Sequence, residues 1–259
     1  MSCFHAGPGR ARLLIVRVSL AICLTTQLSA CGEVTIQEIA EAKTTTAGLP
    51  THERVYRQLR DQVLFGELQP GQPVTIQGLT TSLGVGMTPV REALRRLTAE
   101  GALAFLGNRR IAVPELDVRA IDELCTARRA LEPELAKRAT THATGDDIAL
   151  LTSIDARLDH AIQKGDVGQY LVENHRFHAD LNALAQAPIL TEMVGRLWLR
   201  FGPSLRVVCG QFGTRNLPDR HKDVLDALAR KDAVAAAAAM EADVVQGMDQ
   251  IREGLTRFD

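Results

Sequence analysis

The chain has 259 residues, is 46% hydrophobic and 24% charged, and carries a net charge of −1; it can bury a sizeable core in two domains and is no polycation. Aromatic residues make up 4%, which argues against binding single strands by stacking. The five cysteines, Cys3, Cys23, Cys31, Cys125 and Cys209, are scattered with no CxxC spacing; this excludes a zinc ribbon and favours a reducing, cytoplasmic setting.

Residues 1–49 read as an extension. Arg10 and Arg12 precede an apolar run, Leu13–Leu24, and Leu28-Ser29-Ala30-Cys31 resembles a bacterial lipobox. Taken alone, those features describe an exported, lipid-anchored protein. Arg17 inside the run is costly to insert, and the run is too short to span a membrane. The other reading is a disordered or mis-started N-terminus, with Thr44–Pro50 a linker by composition.

Thr51–Gly66 is amphipathic, with Val55, Leu59 and Val63 on one side and Arg57, Arg60 and Asp61 turned away. Gln69-Pro70-Gly71-Gln72-Pro73 reads as a turn. Ile76, Leu79, Thr80 and Leu83 then recur at helical spacing, and Gly84 and Gly86 break the helix. Thr88 is placed to cap the next helix, Pro89 suits its first turn, and Glu92 stands near a capping-box position. Val90, Ala93, Leu94 and Leu97 form one apolar face, with Arg91, Arg95 and Arg96 largely off it. Helix, glycine turn and helix with exposed arginines make a helix-turn-helix, whose second helix enters the DNA major groove. The short apolar runs Leu103–Leu106 and Ile111–Val113 flank Gly107-Asn108-Arg109-Arg110, a β-hairpin with a basic tip. Such a hairpin beside a reading helix is a wing that reaches phosphates or the minor groove. Residues 50–114 hold eight arginines against five carboxylates, a net +3, which a homodimer doubles.

From Val118 to Asp259 the pattern is helical throughout. The segments are Val118–Ala143, Asp146–Lys164, Val167–Ala185, Pro188–Val208, Asp219–Arg230 and Ala233–Thr256, with room for a break in the first or fourth. No strand alternation and no phosphate-binding glycine loop occur. The expected fold is mainly α: a winged helix-turn-helix over residues 50–115, and an antiparallel all-helical bundle over 118–259 for effector binding and dimerisation.

Polar residues fall where the bundle interior is expected. Asn174 and His178, four apart, share a helix face; His221 opens the fifth helical segment and Asp243 lies in the sixth. Together they offer two imidazoles and two oxygen ligands, a set that suits zinc, nickel or manganese. Ordinary satisfied polar residues are the bland alternative. His160 and His175 are expected to face solvent, and Trp198 to sit in the core. Arg196, Arg200 and Arg206 read as pocket arginines or as surface charge.

Several of these stretches resemble one family. Phe65-Gly66-Glu67-Leu68-Gln69-Pro70-Gly71, Leu83-Gly84-Val85, the run from Thr88 through Pro89, Val90, Arg91, Glu92, Ala93, Leu94, Arg95 and Arg96 to Leu97, and Glu100-Gly101 look like the winged helix of GntR-family bacterial regulators. Arg128-Arg129-Ala130-Leu131-Glu132, Asn174-x-x-Phe177-His178, and His221 through Ala227, Asp232 and Asp243 are similar to the FCD ligand-sensing domain of its FadR-type members. The likeness covers about residues 51–250. It departs from the family at two places. Gly86-Met87 replaces a Ser-Arg pair, removing a hydroxyl and a guanidinium that normally touch DNA. Asp243 stands where the family's last metal-binding histidine would be, twenty-two residues after His221. Asn174, His178 and His221 match the family's other ligand positions, and Arg91 its DNA-contacting arginine.

What the resemblance implies is a one-component transcriptional regulator, a homodimer on a palindromic double-stranded operator. Thr88 and Arg91 enter the groove, while Arg95, Asn108, Arg109 and Arg110 hold phosphates. A small carboxylate effector binds the bundle, through a divalent metal where one is held. Arg128 reads either as a clamp on that carboxylate or as a buried salt bridge to Glu132 or Asp243. Two other classes stay open: a metal-dependent hydrolase in the bundle, for which no general base or nucleophile motif is found, and the lipid-anchored exported sensor. An enzyme is not expected, and nor is a membrane partner.

Overall fold

A computed structural model describes residues 48–107, 110–212 and 219–256. The lipobox and most of the N-terminal extension lie outside the described residues, as do Asn108 and Arg109. Among the described residues there are nine helices and one three-stranded antiparallel sheet.

Helix α1 (Thr51–Leu64) buries Val55, Tyr56, Leu59, Val63 and Leu64. Strand β1 (Pro73–Val74) follows, where the sequence suggested only a turn; two residues are too few to show an alternation. Helix α2 (Ile76–Leu83) is capped by Thr75, whose hydroxyl accepts from the Gly78 N–H, and it ends at Gly84 in the left-handed region (φ 63°). That conformation is cheap for glycine and costly for a side chain. Gly86 is extended instead and needs no such freedom.

Helix α3 (Met87–Ala99) buries Val90, Ala93, Leu94 and Leu97 against α1 and α2. Strands β2 (Ala104–Leu106) and β3 (Arg110–Ala112) form the wing. Strand β3 is central, with Val74 opposite Ile111 on one side and Leu106 opposite Arg110 on the other.

Six helices make the bundle. They are α4 (Val118–His142), α5 (Gly145–Lys164), α6 (Val167–Leu184), α7 (Pro188–Phe212), α8 (Arg220–Ala229) and α9 (Ala233–Thr256). Side-chain caps at Asp117, Thr144, Asp166, Asp219 and Asp232 start five of them, and Thr144 forms a full capping box with Asp147. Such caps satisfy N–H groups that the helix itself leaves unpaired. The breaks allowed for in the first and fourth segments do not occur. Pro133 and Pro203 sit inside continuous helices, where packing of α4 along α9 and of α7 across α1 and α4 outweighs the lost backbone bonds.

Head and bundle share one core. Helix α7 crosses the C-terminal end of α1, and Gly202 lies so close to the Leu64 carbonyl that a Cβ would collide with it. Arg206 Nη1 donates to the Phe65 carbonyl at 3.2 Å. No helix among the described residues is long and apolar enough to cross a membrane.

Candidate functional site

Two groups of side chains stand out, one on the head and one inside the bundle. On α3 the apolar stripe faces inward, which leaves Thr88, Arg91 and Arg95 exposed on the opposite face. Arg91 makes no ion pair among the described residues. Arg95 is loosely held by Glu92 at 2.6 Å, with three-quarters of its side chain exposed. Arg96 turns back instead. It bonds Glu53 (2.9 Å) and Glu100 (3.3 Å) and lies 3.5 Å above the Tyr56 ring. It ties α3 to α1 and is spent on the fold.

Two expectations need correction. Thr88 is not the helix cap: α3 starts at Met87, its cap position is Gly86, and no side chain bonds the first turn. Thr88 therefore stands within that turn with its hydroxyl unspent, while Glu92 pairs with Arg95 and forms no capping box. Arg110 lies exposed at the start of β3, beside the tip residues that fall outside the described set.

In the bundle, α6 contributes His178, α8 His221 and α9 Asp243, and one ligand atom from each lies within 4.8 Å of the others. The remaining nitrogen of each ring is anchored. His178 Nδ1 meets Glu132 Oε2 of α4 at 3.1 Å, and His221 Nδ1 meets Asp155 Oδ1 of α5 at 3.2 Å. The Nε2 atoms then face Asp243, at 3.2 Å from His178 and 3.8 Å from His221. Phe177 stacks flat on the His221 ring at 3.9 Å between centroids.

Electrostatics follows from this geometry. Burial would keep the Glu132 carboxyl protonated, but the Arg128 charge and the His178 hydrogen bond outweigh it and hold it at about 2. Burial also opposes charge on His178; the hydrogen bonds and charges of Asp243 and Glu132 win and raise it to about 9. Asp243 is held well below the usual carboxylate range, because His178, His221 and Arg128 outweigh its desolvation. With ionised carboxylates on both sides and no metal, both His178 nitrogens act as donors; a bound metal would take the place of the Nε2 proton.

The donor set fits a divalent cation. Two imidazole nitrogens and a carboxylate converge, and each imidazole has a carboxylate behind it, the arrangement that orients metal-bound histidines. Asn174, His178 and Asp243, but not His221, line a cavity of about 40 Å³; that is room for about three water molecules. A second carboxylate cluster, Asp155, Asp159 and Asp219, is bridged by Lys222, which sits 2.8 Å from Asp159 and 2.5 Å from Asp219.

Arg128 takes the salt-bridge alternative. Its Nε donates to Glu132 Oε1 at 2.5 Å and its Nη2 to Oε2 at 3.2 Å, and its guanidinium lies 4.2 Å from the Phe201 ring. It borders the small cavity all the same. Arg196, Arg200 and Arg206 do not reach that cavity. Arg196 pairs with Glu192, and the other two lie at the junction with the head.

His175 is half-buried and does not stand free in solvent as expected. It is wedged edge-on between Phe65 (5.8 Å) and Trp198 (5.1 Å), and burial, with the nearby Arg60 and His178 charges, lowers it to about 4. Glu132 and Asp155 escaped the sequence reading as histidine anchors. A signal existed for Asp155: it stands in the stripe Leu151, Ile154, Leu158, where an apolar residue belongs.

The family described as "Bacterial regulatory proteins, gntR family" matches residues 51–113, and the family described as "FCD domain" matches 123–245. Among curated relatives, the "HTH-type transcriptional regulator McbR" of Escherichia coli (strain K12) is 36% identical over 152 residues, 59% of this chain and 69% of McbR. The "Nta operon transcriptional regulator" of Aminobacter aminovorans is 28% identical, over 71% of this chain and 87% of its own. The solved structure "E. coli McbR/YncC" superposes with a TM-score of 0.75 at 29% identity, covering 80% of this chain and 99% of that one.

Proposed function

The chain belongs to the gntR family of bacterial regulatory proteins and is a transcriptional regulator with an FCD domain; from that premise we propose how it reads DNA and what governs the reading. It binds a palindromic operator as a homodimer, each α3 entering one major groove. Thr88 and Arg91 reach base edges, while Arg95, Asn108, Arg109 and Arg110 hold phosphates. The observation that carries this reading is the outward face of α3, where Arg91 is exposed without an ion-pair partner beside an uncapped helix start. Unpaired N–H groups at that start suit a phosphate.

The bundle is the sensing half. Asn174, His178, His221 and Asp243 hold a divalent metal of the zinc, nickel or manganese kind. A metal would supply a fixed positive charge that draws α6, α8 and α9 together and attracts an anionic effector. Arg128 keeps Glu132 in place, and Glu132 in turn fixes the His178 ring. The room beside Arg128 suits a short carboxylate at most. Effector binding changes the affinity for operator by the coupling free energy between the two sites.

Footprinting on genomic fragments tests the reading. The expected result is two protected half-sites, inverted and about 10 base pairs apart centre to centre. Uniform, sequence-independent protection would sink it. The alternative of a metal-dependent hydrolase gains nothing from the geometry: the carboxylates nearest the histidines are engaged with the rings, and the relatives are regulators.

A further inference from the structure

Between head and bundle lies a cavity of about 640 Å³. Tyr56 and Arg60 of α1 and Arg96 and Glu100 of α3 line it from the head; His175 and Asn182 of α6 and Trp198 of α7 line it from the bundle. Its volume falls in the range of small-molecule sites, which is about 300–1,000 Å³. The histidine-lined cavity is far smaller, and none of His178, His221 and Asp243 borders the larger one. We propose that this junction cavity is a second ligand site, taking a small carboxylate with an apolar body.

Three observations select that chemistry. First, one of its cations is unspent. Arg96 is taken by Glu53 and Glu100, and Arg196 by Glu192. Arg60 is half-buried and makes no ion pair among the described residues. A guanidinium so placed binds a carboxylate bidentately. Second, two buried polar atoms lack hydrogen-bond partners: Asn182 Oδ1, on a residue 2% exposed, and Trp198 Nε1, on one 4% exposed. Native structures rarely leave such atoms unsatisfied, and both residues line this cavity. Third, one stretch of the wall is small and apolar, with Ala179, Ala183, Ala187 and Val194, beside the polar Gln186, Thr191 and Glu192. Such a stretch accepts a hydrocarbon chain or ring, and the wall's other two guanidinium groups, Arg96 and Arg196, are already matched by carboxylates.

The position gives the site leverage. Its walls belong to α1 and α3 on one side and to α6 and α7 on the other. A ligand touching both stabilises one seating of the reading helix over others by its differential affinity for them.

Trp198 is the chain's single tryptophan and lines both this cavity and the smaller one, so its emission responds to a ligand in either, and substitutions tell the two apart. Octanoate and benzoate are titrated into the full-length protein, with octanamide and benzamide as uncharged controls. A saturable emission change is expected. It should weaken roughly ten- to a hundredfold in Arg60→Met, the worth of a charged hydrogen bond, and by a similar factor for the amides. It should vanish in Ala183→Phe and persist in Asp243→Ala. The absence of saturation with either acid at millimolar concentrations overturns the proposal. So does equal affinity for acid and amide, or a response lost in Asp243→Ala but kept in Ala183→Phe, which would place the ligand among the histidines. Thermal unfolding of each variant checks the fold; if Arg60→Met is not folded, the acid-against-amide comparison on the unaltered protein decides.

Discussion

The head and the bundle use charged residues in opposite ways. On the outer face of α3 the arginines stand in water: Arg91 is unpaired among the described residues, and Arg95 leans on Glu92, itself exposed. Such groups add little to stability and are free to meet an external polyanion. In the bundle, charge is buried and linked in sequence, from Arg128 to Glu132, His178, Asp243, His221 and Asp155. Every member depends on its neighbour, so removing one strands another in a low dielectric. One protein thus keeps the charges of its head cheap to move and those of its bundle expensive to disturb.

The sharpest way to break that contrast is Glu132→Ala. It leaves the Arg128 guanidinium buried without a carboxylate, a cost of about 3–5 kcal/mol, read as a large fall in the midpoint of denaturant unfolding. Glu92→Ala on the head should leave the midpoint where it is. Equal falls in the two variants would erase the distinction. Arg91→Ala is the mirror test. Unfolding should be unchanged, while operator retardation weakens by about 1–3 kcal/mol for each reading helix; undiminished retardation would remove α3 as the reader.

Asp155→Ala sharpens the bundle side, because Asp155 touches only the far nitrogen of His221. Zinc affinity, measured by competition with a chromophoric chelator, should fall about 10- to 100-fold. An unaltered affinity would separate that anchor from the metal set. The smallest effect is expected from Gly86→Ser, which returns a hydroxyl to the cap of α3. It should add only a few tenths of a kcal/mol to stability. A clear gain in retardation without a matching gain in stability would show the hydroxyl working on DNA.

Much of the fold was legible because its signals are local. Gly84, Pro89 and the stripe Val90, Ala93, Leu94, Leu97 announce a turn and a helix within a few residues of one another, and local breakers such as Gly145, Gly165-Asp166 and Pro188 separate the helical segments. What escaped depends on partners distant in sequence. Strand β1 exists only because β3 is there to pair with Pro73 and Val74. His175 resembles a surface histidine until Phe65 of the head and Trp198 close over it. The grouping of His178, His221 and Asp243 was an expectation drawn from polar residues in the bundle interior and from the family resemblance, whereas their anchors were not expected, since Glu132 and Asp155 arrive on two further helices. Asp155 stands in an otherwise apolar stripe, and a charge in such a stripe is the trace it leaves; Glu132 follows Arg128 by one turn and so reads from sequence only as its salt-bridge partner.

Gly202 carries a consequence for how the two halves communicate. With no side chain between α7 and the Leu64 carbonyl, main chain rests on main chain, and the crossing works as a fulcrum whose height no rotamer can adjust. Pressure from within the bundle cannot be absorbed by side-chain compliance at that point. It must emerge as a tilt of α1, and the reading helix tied to α1 through Arg96 would swing with it.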